Sequence, residues 1–203
     1  MFTLNRKERD RQLRRSDILK AAEHLFALKG YHKATIRAIA REAQYASGTV
    51  YLHFKDKEAL YFGLFEEKLK SLLSIIEEKT KQIKDARSKL KVFVQESLAF
   101  FEKSSDFFRI FVSDSDRLLL EAKLLKSTTT RQFQEYAEKL IKQAQEQKVI
   151  SGDFDSKQVK DVFFAIQKTV VLNWFKEGKG GNKSLVDLSS VVLRYFLNGA
   201  ADK

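Results

Sequence analysis

No proline occurs in the 203 residues of this chain, so the residue that most reliably breaks a helix is missing throughout. Apolar residues recur at spacings of three and four along much of the sequence, and no segment stands out with the alternation typical of a half-buried strand. Hydrophobic residues make up 43% and charged residues 32% of the chain, a balance typical of folded globular proteins. Together these features predict an all-α protein.

The segment from Thr35 to Phe54 contains two short helical patterns separated by a break at residues 44–47. Each pattern carries its apolar residues on one face. Those of the first are Ile36, Ile39, Ala40 and Ala43, and those of the second are Val50, Tyr51 and Phe54. Two short helices joined in this way predict a helix-turn-helix, whose second helix can enter the major groove of DNA.

Positive charge is concentrated at the same end of the chain. The formal net charge is +11, and residues 1–57 carry 13 Lys and Arg against 6 Asp and Glu. The other residues carry 25 against 21. A basic surface neutralises DNA phosphates, but it also keeps a protein soluble, so charge alone leaves both interpretations open. Its coincidence with the helix-turn-helix pattern favours nucleic acid.

Residues suited to catalysis or metal binding are sparse. Cysteine is absent, and the three histidines, His24, His32 and His53, have no carboxylate cluster at metal-binding spacing. We therefore expect no metal, no cofactor and no enzymatic activity. The first residues lack the apolar core of a secretory signal, and no apolar run is long enough to span a bilayer. A cytoplasmic protein without membrane contact is the expectation.

Capping residues and glycines divide the chain into helices. We interpret residues 1–14 as a charged arm, which either continues into the first helix, extends towards DNA or is a solvated tail. The first helix is expected from about Arg15 to a stop at Gly30. Asp56 caps a long helix that continues to about residue 80. Later helices are expected at about 88–103, 106–112, 116–148, 155–177 and 184–198. We place a three-helix DNA-binding domain at 1–57 and a larger helical domain at 58–203, with about nine helices in all.

The last two helices are apolar on nearly every side. A helix with this pattern is buried on more than one side, and in a chain of this length the simplest second partner is another copy. This predicts a two-fold homodimer through a four-helix interface. The residues expected there are Phe164, Val171, Leu188, Val192, Tyr195 and Phe196.

The segment from Gly30 to Phe54, with the residues up to Leu60, resembles the tetracycline-repressor (TetR) family of bacterial regulators. The residues that carry the resemblance are Phe26, Gly30, Thr35, Ile39, Ala40, Gly48, Val50, Tyr51, His53, Phe54 and Lys55. The turn departs from the family pattern: Gln44 and Tyr45 stand where a glycine and an aliphatic residue are usual. Ala46 replaces a capping serine, and Ser47 is the alternative cap.

By this resemblance, the side chains of the helix-turn-helix divide into groups. Phosphate contacts are implied for Thr35, Tyr51, His53 and Lys55, and base-edge contacts for Ser47, Thr49 and Leu52. Gln44 and Tyr45 are further candidate contacts, Gly48 lets the backbone approach DNA closely, and Arg37 on the preceding helix is placed to contact the DNA backbone. Val50 and Phe54 are the packing residues.

Seventeen phenylalanines need an explanation. Most must belong to the core, since aromatic residues at helical spacing usually do. A subset could instead line a cavity for a large hydrophobic or acyl-type effector. The candidates are Phe93, Phe101, Phe107, Phe108, Phe111, Phe133, Tyr136, Phe163 and Trp174.

These patterns and the resemblance together predict a transcriptional repressor that binds double-stranded DNA. It would bind a palindromic operator as a homodimer, with recognition helices roughly 34 Å apart or somewhat more, and a small hydrophobic effector would release it. Two alternatives stay open. One is an architectural DNA-binding protein without an effector, and the other is a hydrophobic-ligand carrier or enzyme whose basic end binds an acidic partner.

Overall fold

A computed structural model of the chain describes residues 5–105, 126–178 and 184–200. Within these ranges all regular structure is helical, with eight α-helices and a short 3₁₀ turn, Val186–Leu188. The helices are α1 (Arg6–Lys33), α2 (Ile36–Glu42), α3 (Ser47–Tyr51), α4 (Lys57–Thr80), α5 (Ala86–Lys103), α6 (Thr128–Glu146), α7 (Ser156–Lys176) and α8 (Ser189–Ala200). The prediction of an all-α protein is confirmed. The helix expected at 106–112 lies outside the described residues.

The chain forms two compact units, Met1–Lys68 and Leu69–Lys203. The sequence placed a boundary after residue 57, where α4 begins, whereas the units divide inside that helix. The first half of α4 is tied to α1 by an ion pair in which Lys68 Nζ lies 2.5 Å from Glu23 Oε1. α4 is therefore one continuous helix that contributes to both units.

Helix α1 starts earlier than the sequence analysis expected. Asn5 and Glu8 form a capping box: the Glu8 N–H donates to Asn5 Oδ1 at 2.9 Å, and the Asn5 N–H donates to Glu8 Oε2 at 3.1 Å. Because these bonds satisfy N–H groups of the first turn, the segment predicted as an arm is helical from Arg6 onward. Gly30 has non-helical backbone (φ 76°, ψ 163°) and interrupts α1 where the sequence predicts a stop. A second, short helical segment follows it and continues to Lys33.

The start of α4 is fixed by two neighbouring residues. Asp56 caps the helix as predicted, because the Ala59 N–H donates to Asp56 Oδ1 at 2.6 Å. Lys57 Nζ donates to the carbonyl oxygens of Tyr31 at 2.8 Å and Ala34 at 3.2 Å, and it lies 4.3 Å from the centroid of the Tyr31 ring. Burial lowers the pKa of Lys57. This lysine supplies donors to the unsatisfied end of α1 and joins it to α4.

Side-chain contacts show the relative directions of the helices in the second unit. Lys89, near the start of α5, donates to Gln143 Oε1 near the end of α6 at 2.9 Å, so these helices are antiparallel. Ser156, at the start of α7, donates to Glu138 Oε1 of α6 at 3.2 Å, and α7 returns along α6 after a short turn. α5 and α7 are both antiparallel to α6 and therefore run in the same direction.

The interior of the second unit is aromatic. The ring centroid of Phe93 on α5 lies 5.0 Å from that of Phe133 on α6 and 5.6 Å from that of Phe163 on α7. Phe163 lies 4.7 Å from Phe196 on α8, and Phe164 contacts the first three rings. Tilted contacts at these separations stabilise the rings beyond simple burial. We call these five residues the aromatic cluster.

Two predicted helix boundaries in this unit differ from the structure. The helix expected from residue 116 to 148 has a break at Ser127, which has extended backbone (ψ 149°) and caps α6 by accepting the Thr130 N–H at 3.1 Å. Residues 116–125 lie outside the described ranges. The last α-helix begins at Ser189, after the 3₁₀ turn. Asp155 caps α7 as predicted.

Gly63 of α4 makes room for the Phe54 ring. A Cβ built on Gly63 would lie 2.6 Å from Phe54 Cε1, closer than non-bonded carbons approach, and Phe54 is buried. Alanine normally stabilises a helix by about 1 kcal/mol relative to glycine, but overpacking costs about 1–3 kcal/mol. We expect Gly63→Ala to lower the free energy of unfolding, measured by urea denaturation of the full chain.

The matched control is Gly48→Ala, because a Cβ at Gly48 meets no atom within 4 Å. This variant should unfold at the same urea concentration as the parent or a higher one. If Gly63→Ala proved as stable as Gly48→Ala, the ring of Phe54 would have room to move and the steric argument would fail.

Candidate nucleic-acid interface and aromatic core

The helix-turn-helix predicted from Thr35 to Phe54 is present as α2, a short turn and α3. Thr35 caps α2 by accepting the Ala38 N–H at 3.2 Å. In the turn, Gln44 has a left-handed backbone (φ 60°), which is uncommon for a residue other than glycine, asparagine or aspartate. The Tyr45 N–H then donates to the Ala40 carbonyl oxygen at 2.9 Å. This bond closes α2 and leads the chain into α3.

Helix α3 is held in place by Val50 and by Phe54, which follows it; both are buried, as predicted. Ala46 occupies the N-cap position, and no side chain bonds to the first turn. Ser47 is the first helical residue, so the alternative in which Ser47 supplies the cap is wrong.

The residues predicted to contact DNA keep accessible surface in this unit. The exposed residues are Thr35, Arg37, Gln44, Gly48, Tyr51, Leu52 and Lys55, and the half-buried residues are Tyr45, Ser47, Thr49 and His53. Tyr51 is 55% exposed and Leu52 is 78% exposed. Two large, adjacent side chains this accessible are available to a partner outside the unit.

Two polar pairs join the turn and α2 to α1. Tyr45 Oη donates to Asp17 Oδ2 at 3.0 Å, and this hydrogen bond raises the pKa of Tyr45. His24 Nδ1 and Glu42 Oε1 lie 2.8 Å apart. The Tyr45 hydroxyl, expected as a further DNA contact, already donates within the protein. Its role in this structure is to hold the turn against α1.

Arg15 is a positioning residue that the sequence reasoning missed. Its guanidinium carbon lies 5.1 Å from the centroid of the Phe54 ring, and Nη1 lies 3.2 Å from Glu67 Oε2. The arginine therefore connects α1, the end of the helix-turn-helix and α4. Its position three residues before the buried Ile18, on the packed side of α1, was the available clue.

Positive charge surrounds His53 at the end of α3. Partial burial lowers the pKa of His53, and the nearby charges of Arg11, Arg15 and Arg14 lower it further. A half-exposed imidazole among three guanidinium groups marks a region of positive potential. Such a region attracts phosphate.

The described residues show no sign of other chemistry at these histidines. Within 5–105, 126–178 and 184–200, no three His, Asp or Glu side chains are grouped to hold a metal ion. In the same ranges, every helix is too short or too polar to cross a bilayer. His24 is bonded to Glu42, whereas His53 faces the arginines of α1.

The predicted effector-lining residues have different positions in the second unit. Phe93, Phe133, Phe163 and Trp174 are buried, and Phe101 and Tyr136 are half-buried. Phe93, Phe133 and Phe163 meet in the aromatic cluster, and Trp174 lies farther along α7. Phe107, Phe108 and Phe111 lie outside the described residues.

Half of the residues predicted for a dimer interface belong to the unit's own core. Val171, Val192 and Phe196 are buried by neighbouring helices of the same chain, because α7 and α8 pack on α5 and α6 as well as on each other. Phe164 and Leu188 are half-buried, and Tyr195 is exposed. The apolar side chains left uncovered on α7 and α8 are Val162, Val191 and Tyr195.

Comparison with known proteins decides the family. Residues 18–64 match the model of bacterial regulatory proteins of the tetR family, and residues 65–199 match the model of the C-terminal region of YsiA-like proteins. The chain belongs to the tetR family. Like the members it matches, this tetR-family protein is a DNA-binding transcriptional regulator, and the resemblance drawn from the helix-turn-helix is confirmed.

Relatives of this regulator match along most of its length. The fatty acid metabolism regulator protein of Bacillus subtilis (strain 168) is 24% identical over 186 residues, covering 92% of this chain and 95% of that protein. The transcriptional activator FasR of Mycolicibacterium smegmatis is 32% identical over 111 residues, 54% of this chain and 50% of FasR. The solved structure of FadR from Bacillus subtilis in complex with stearoyl-CoA has a TM-score of 0.78 at 24% identity, covering 91% and 98% of the two chains. The likeness shows a common fold.

The lowered pKa of His53 predicts a pH dependence of DNA binding. A phosphate placed at His53 favours the imidazolium form, so binding takes up a proton and affinity should rise as the pH falls from 7.5 to 5.5. The effect on folding stability has the opposite sign. The fold keeps His53 neutral, whereas His53 of the unfolded chain takes up a proton at about pH 6.5. The free energy of unfolding should therefore decrease as the pH falls below that value. Fluorescence anisotropy of a labelled duplex against pH measures the first effect.

Two variants separate His53 from the other histidines. His53→Gln should flatten the rise in affinity, whereas His24→Gln should keep it, since the His24 imidazole is already bonded to Glu42. An unchanged pH profile in His53→Gln would remove His53 from the phosphate contacts.

Proposed function

We propose that this regulator binds a palindromic operator as a homodimer and leaves it when a long-chain acyl effector binds. The observation that carries the DNA-binding half is the accessible end of α3, where Tyr51 and Leu52 project beside the positive region around His53. We call α3 the recognition helix.

The side chains of the recognition helix and its neighbours would have two roles on DNA: some contact phosphates and fix the position of the protein, and others contact base edges and select the sequence. Hydroxyl and basic groups suit phosphates, and Thr35, Tyr51, His53 and Lys55 are accessible to them. Ser47, Thr49 and Leu52 would face base edges, where the Thr49 methyl and Leu52 suit the methyl group of thymine. The helix carries no arginine, lysine or asparagine for a bidentate base contact. Sequence preference would therefore depend in part on DNA shape.

The uncovered apolar residues of α7 and α8 support the homodimer. Val162 is 55% exposed and Tyr195 69% exposed. Large apolar side chains exposed on two adjacent helices mark an interaction surface, and two-fold pairing is the commonest way to bury one. A dimer would present two recognition helices to one palindromic site.

The aromatic interior and the relatives support the effector. The name of the Bacillus subtilis relative refers to fatty acid metabolism, and the FadR structure contains stearoyl-CoA. In this chain, five aromatic rings from four helices pack against one another in one region of the second unit. A saturated acyl chain fits such a lining. Binding would release DNA only if the effector favours a conformation that fits the operator less well.

Substitutions on the recognition helix test the division between positioning and readout. Tyr51→Ala should weaken binding to all duplexes, whereas Thr49→Val should change the sequences enriched from a random duplex pool. The reason is that Tyr51 would contact phosphate and Thr49 a base edge. Enrichment sequencing and anisotropy measure the two effects. If Thr49→Val enriched the same site as the parent, base readout would lie elsewhere, and unchanged affinity in Tyr51→Ala would remove Tyr51.

Charge placed on the uncovered face of α7 and α8 tests the dimer. Tyr195→Glu combined with Val162→Glu should convert the protein to a monomer, because dimerisation would bury the new carboxylates without partners. Both side chains are exposed in the single chain, so we expect the double variant to fold. Sedimentation velocity measures the change. Lys139→Glu, at an exposed position on α6, is the control and should stay dimeric. A double variant that sediments like the parent would place the interface on another face.

A further inference from the structure

Two polar atoms inside the second unit have no hydrogen-bond partner among the residues that the structure describes. They are Ser97 Oγ on α5 and Gln167 Nε2 on α7. Ser97 is 3% exposed and Gln167 is 5% exposed, so water outside the protein does not reach them. A buried donor without an acceptor destabilises the folded state, and native proteins contain few of them.

Both residues lie one helical turn beyond the aromatic cluster. Ser97 follows Phe93 by four residues, and Gln167 follows Phe163 by four, so each lies on the same face as its phenylalanine. Phe93 and Phe163 are in contact, with centroids 5.6 Å apart. Because α5 and α7 run in the same direction, the next turn of each helix lies in one layer of the bundle. Ser97 and Gln167 therefore occupy the layer beside the rings.

The buried neighbours of Gln167 along the same side of α7 are apolar. Phe163, Val171 and Trp174 share its side of α7, and all are buried. A leucine or methionine at residue 167 would continue this stripe without leaving an unpaired amide. The chain places a hydrogen-bond donor where packing alone calls for an apolar side chain, and such a donor indicates an acceptor that arrives from outside.

The chemistry of the layer defines that acceptor. A serine hydroxyl and a glutamine amide both donate and both are uncharged. The buried residues of the described ranges include no lysine, arginine or histidine, so an ionised carboxylate would lose its hydration there without gaining a cation. A neutral carbonyl oxygen, as in a thioester or ester, suits two neutral donors.

The geometry points to Ser97 and Gln167 as the hydrogen-bonding site for the thioester carbonyl of a long-chain acyl effector, with the acyl chain against the aromatic cluster. This inference rests on the proposed acyl effector and adds the residues that recognise its polar group. It also gives a selectivity: the thioester is preferred to the free fatty acid at neutral pH.

The experiment compares two ligands on two proteins. Stearoyl-CoA carries the thioester carbonyl, and S-octadecyl-CoA has a methylene group in its place. The parent should bind the thioester about tenfold more tightly than the thioether, measured by isothermal titration calorimetry, because the thioether leaves both donors unpaired. Gln167→Met, which keeps the length of the side chain, should bind the two ligands with nearly equal affinity.

A structural role would give a different result. If Gln167 only supported the fold, Gln167→Met would unfold at a lower temperature without ligand; we expect it to unfold at the same temperature or a higher one, since an unpaired donor is removed. Ser97→Ala provides the second variant and should also reduce the preference for the thioester. Gln158→Met, the same substitution at an exposed position of α7, should keep the full preference.

Each outcome has a distinct meaning. If the parent prefers the thioester and Gln167→Met and Ser97→Ala keep that preference, this site is rejected while the acyl effector stands. If the parent binds both ligands equally, the donors serve a resident water only, and the site is again rejected. If the parent binds neither ligand, the proposed effector and this site fall together.

Discussion

The recognition helix depends on side chains outside it. Five residues form too few internal hydrogen bonds to be stable in isolation, so α3 exists in this position because Val50 and Phe54 are buried. Phe54 in turn lies against Gly63 and beneath Arg15, which is paired with Glu67. The surface offered to DNA is thus positioned by α1 and α4. Gly63 and Glu67 lie in the first half of α4, so the position of this half determines the support of α3.

In the part of the second unit that the structure describes, tight aromatic packing occurs beside two buried donors without a hydrogen-bond partner. A core selected only for stability would replace them by apolar side chains. In natural proteins, such locally destabilising groups occur at functional sites, where the polar group forms its hydrogen bond when a ligand binds. Here the cost falls beside the aromatic cluster, which is where a hydrophobic effector would be held.

Three residues show how distant parts of the chain decide what a side chain contacts. Ser47 has the chemistry of a cap, yet Ala46 occupies the cap position, because the left-handed Gln44 sets where α3 begins. Tyr45 has the chemistry of a DNA contact, yet Asp17 accepts its hydroxyl. Val192 has the pattern of an interface residue, yet neighbouring helices bury it. In each case, residues elsewhere in the chain decide which groups the side chain contacts.

The sequence by itself determined the helical class, the helix-turn-helix between Thr35 and Phe54, the caps at Asp56 and Asp155, and the family. These follow from periodicity and from short-range hydrogen bonds, which neighbouring residues specify. Only the tertiary structure decided that Arg15 stacks on Phe54, that Lys57 joins α4 to the end of α1, and that Phe93 contacts Phe163. Those contacts join residues far apart in the chain, so they depend on how the helices pack, and no local pattern encodes that.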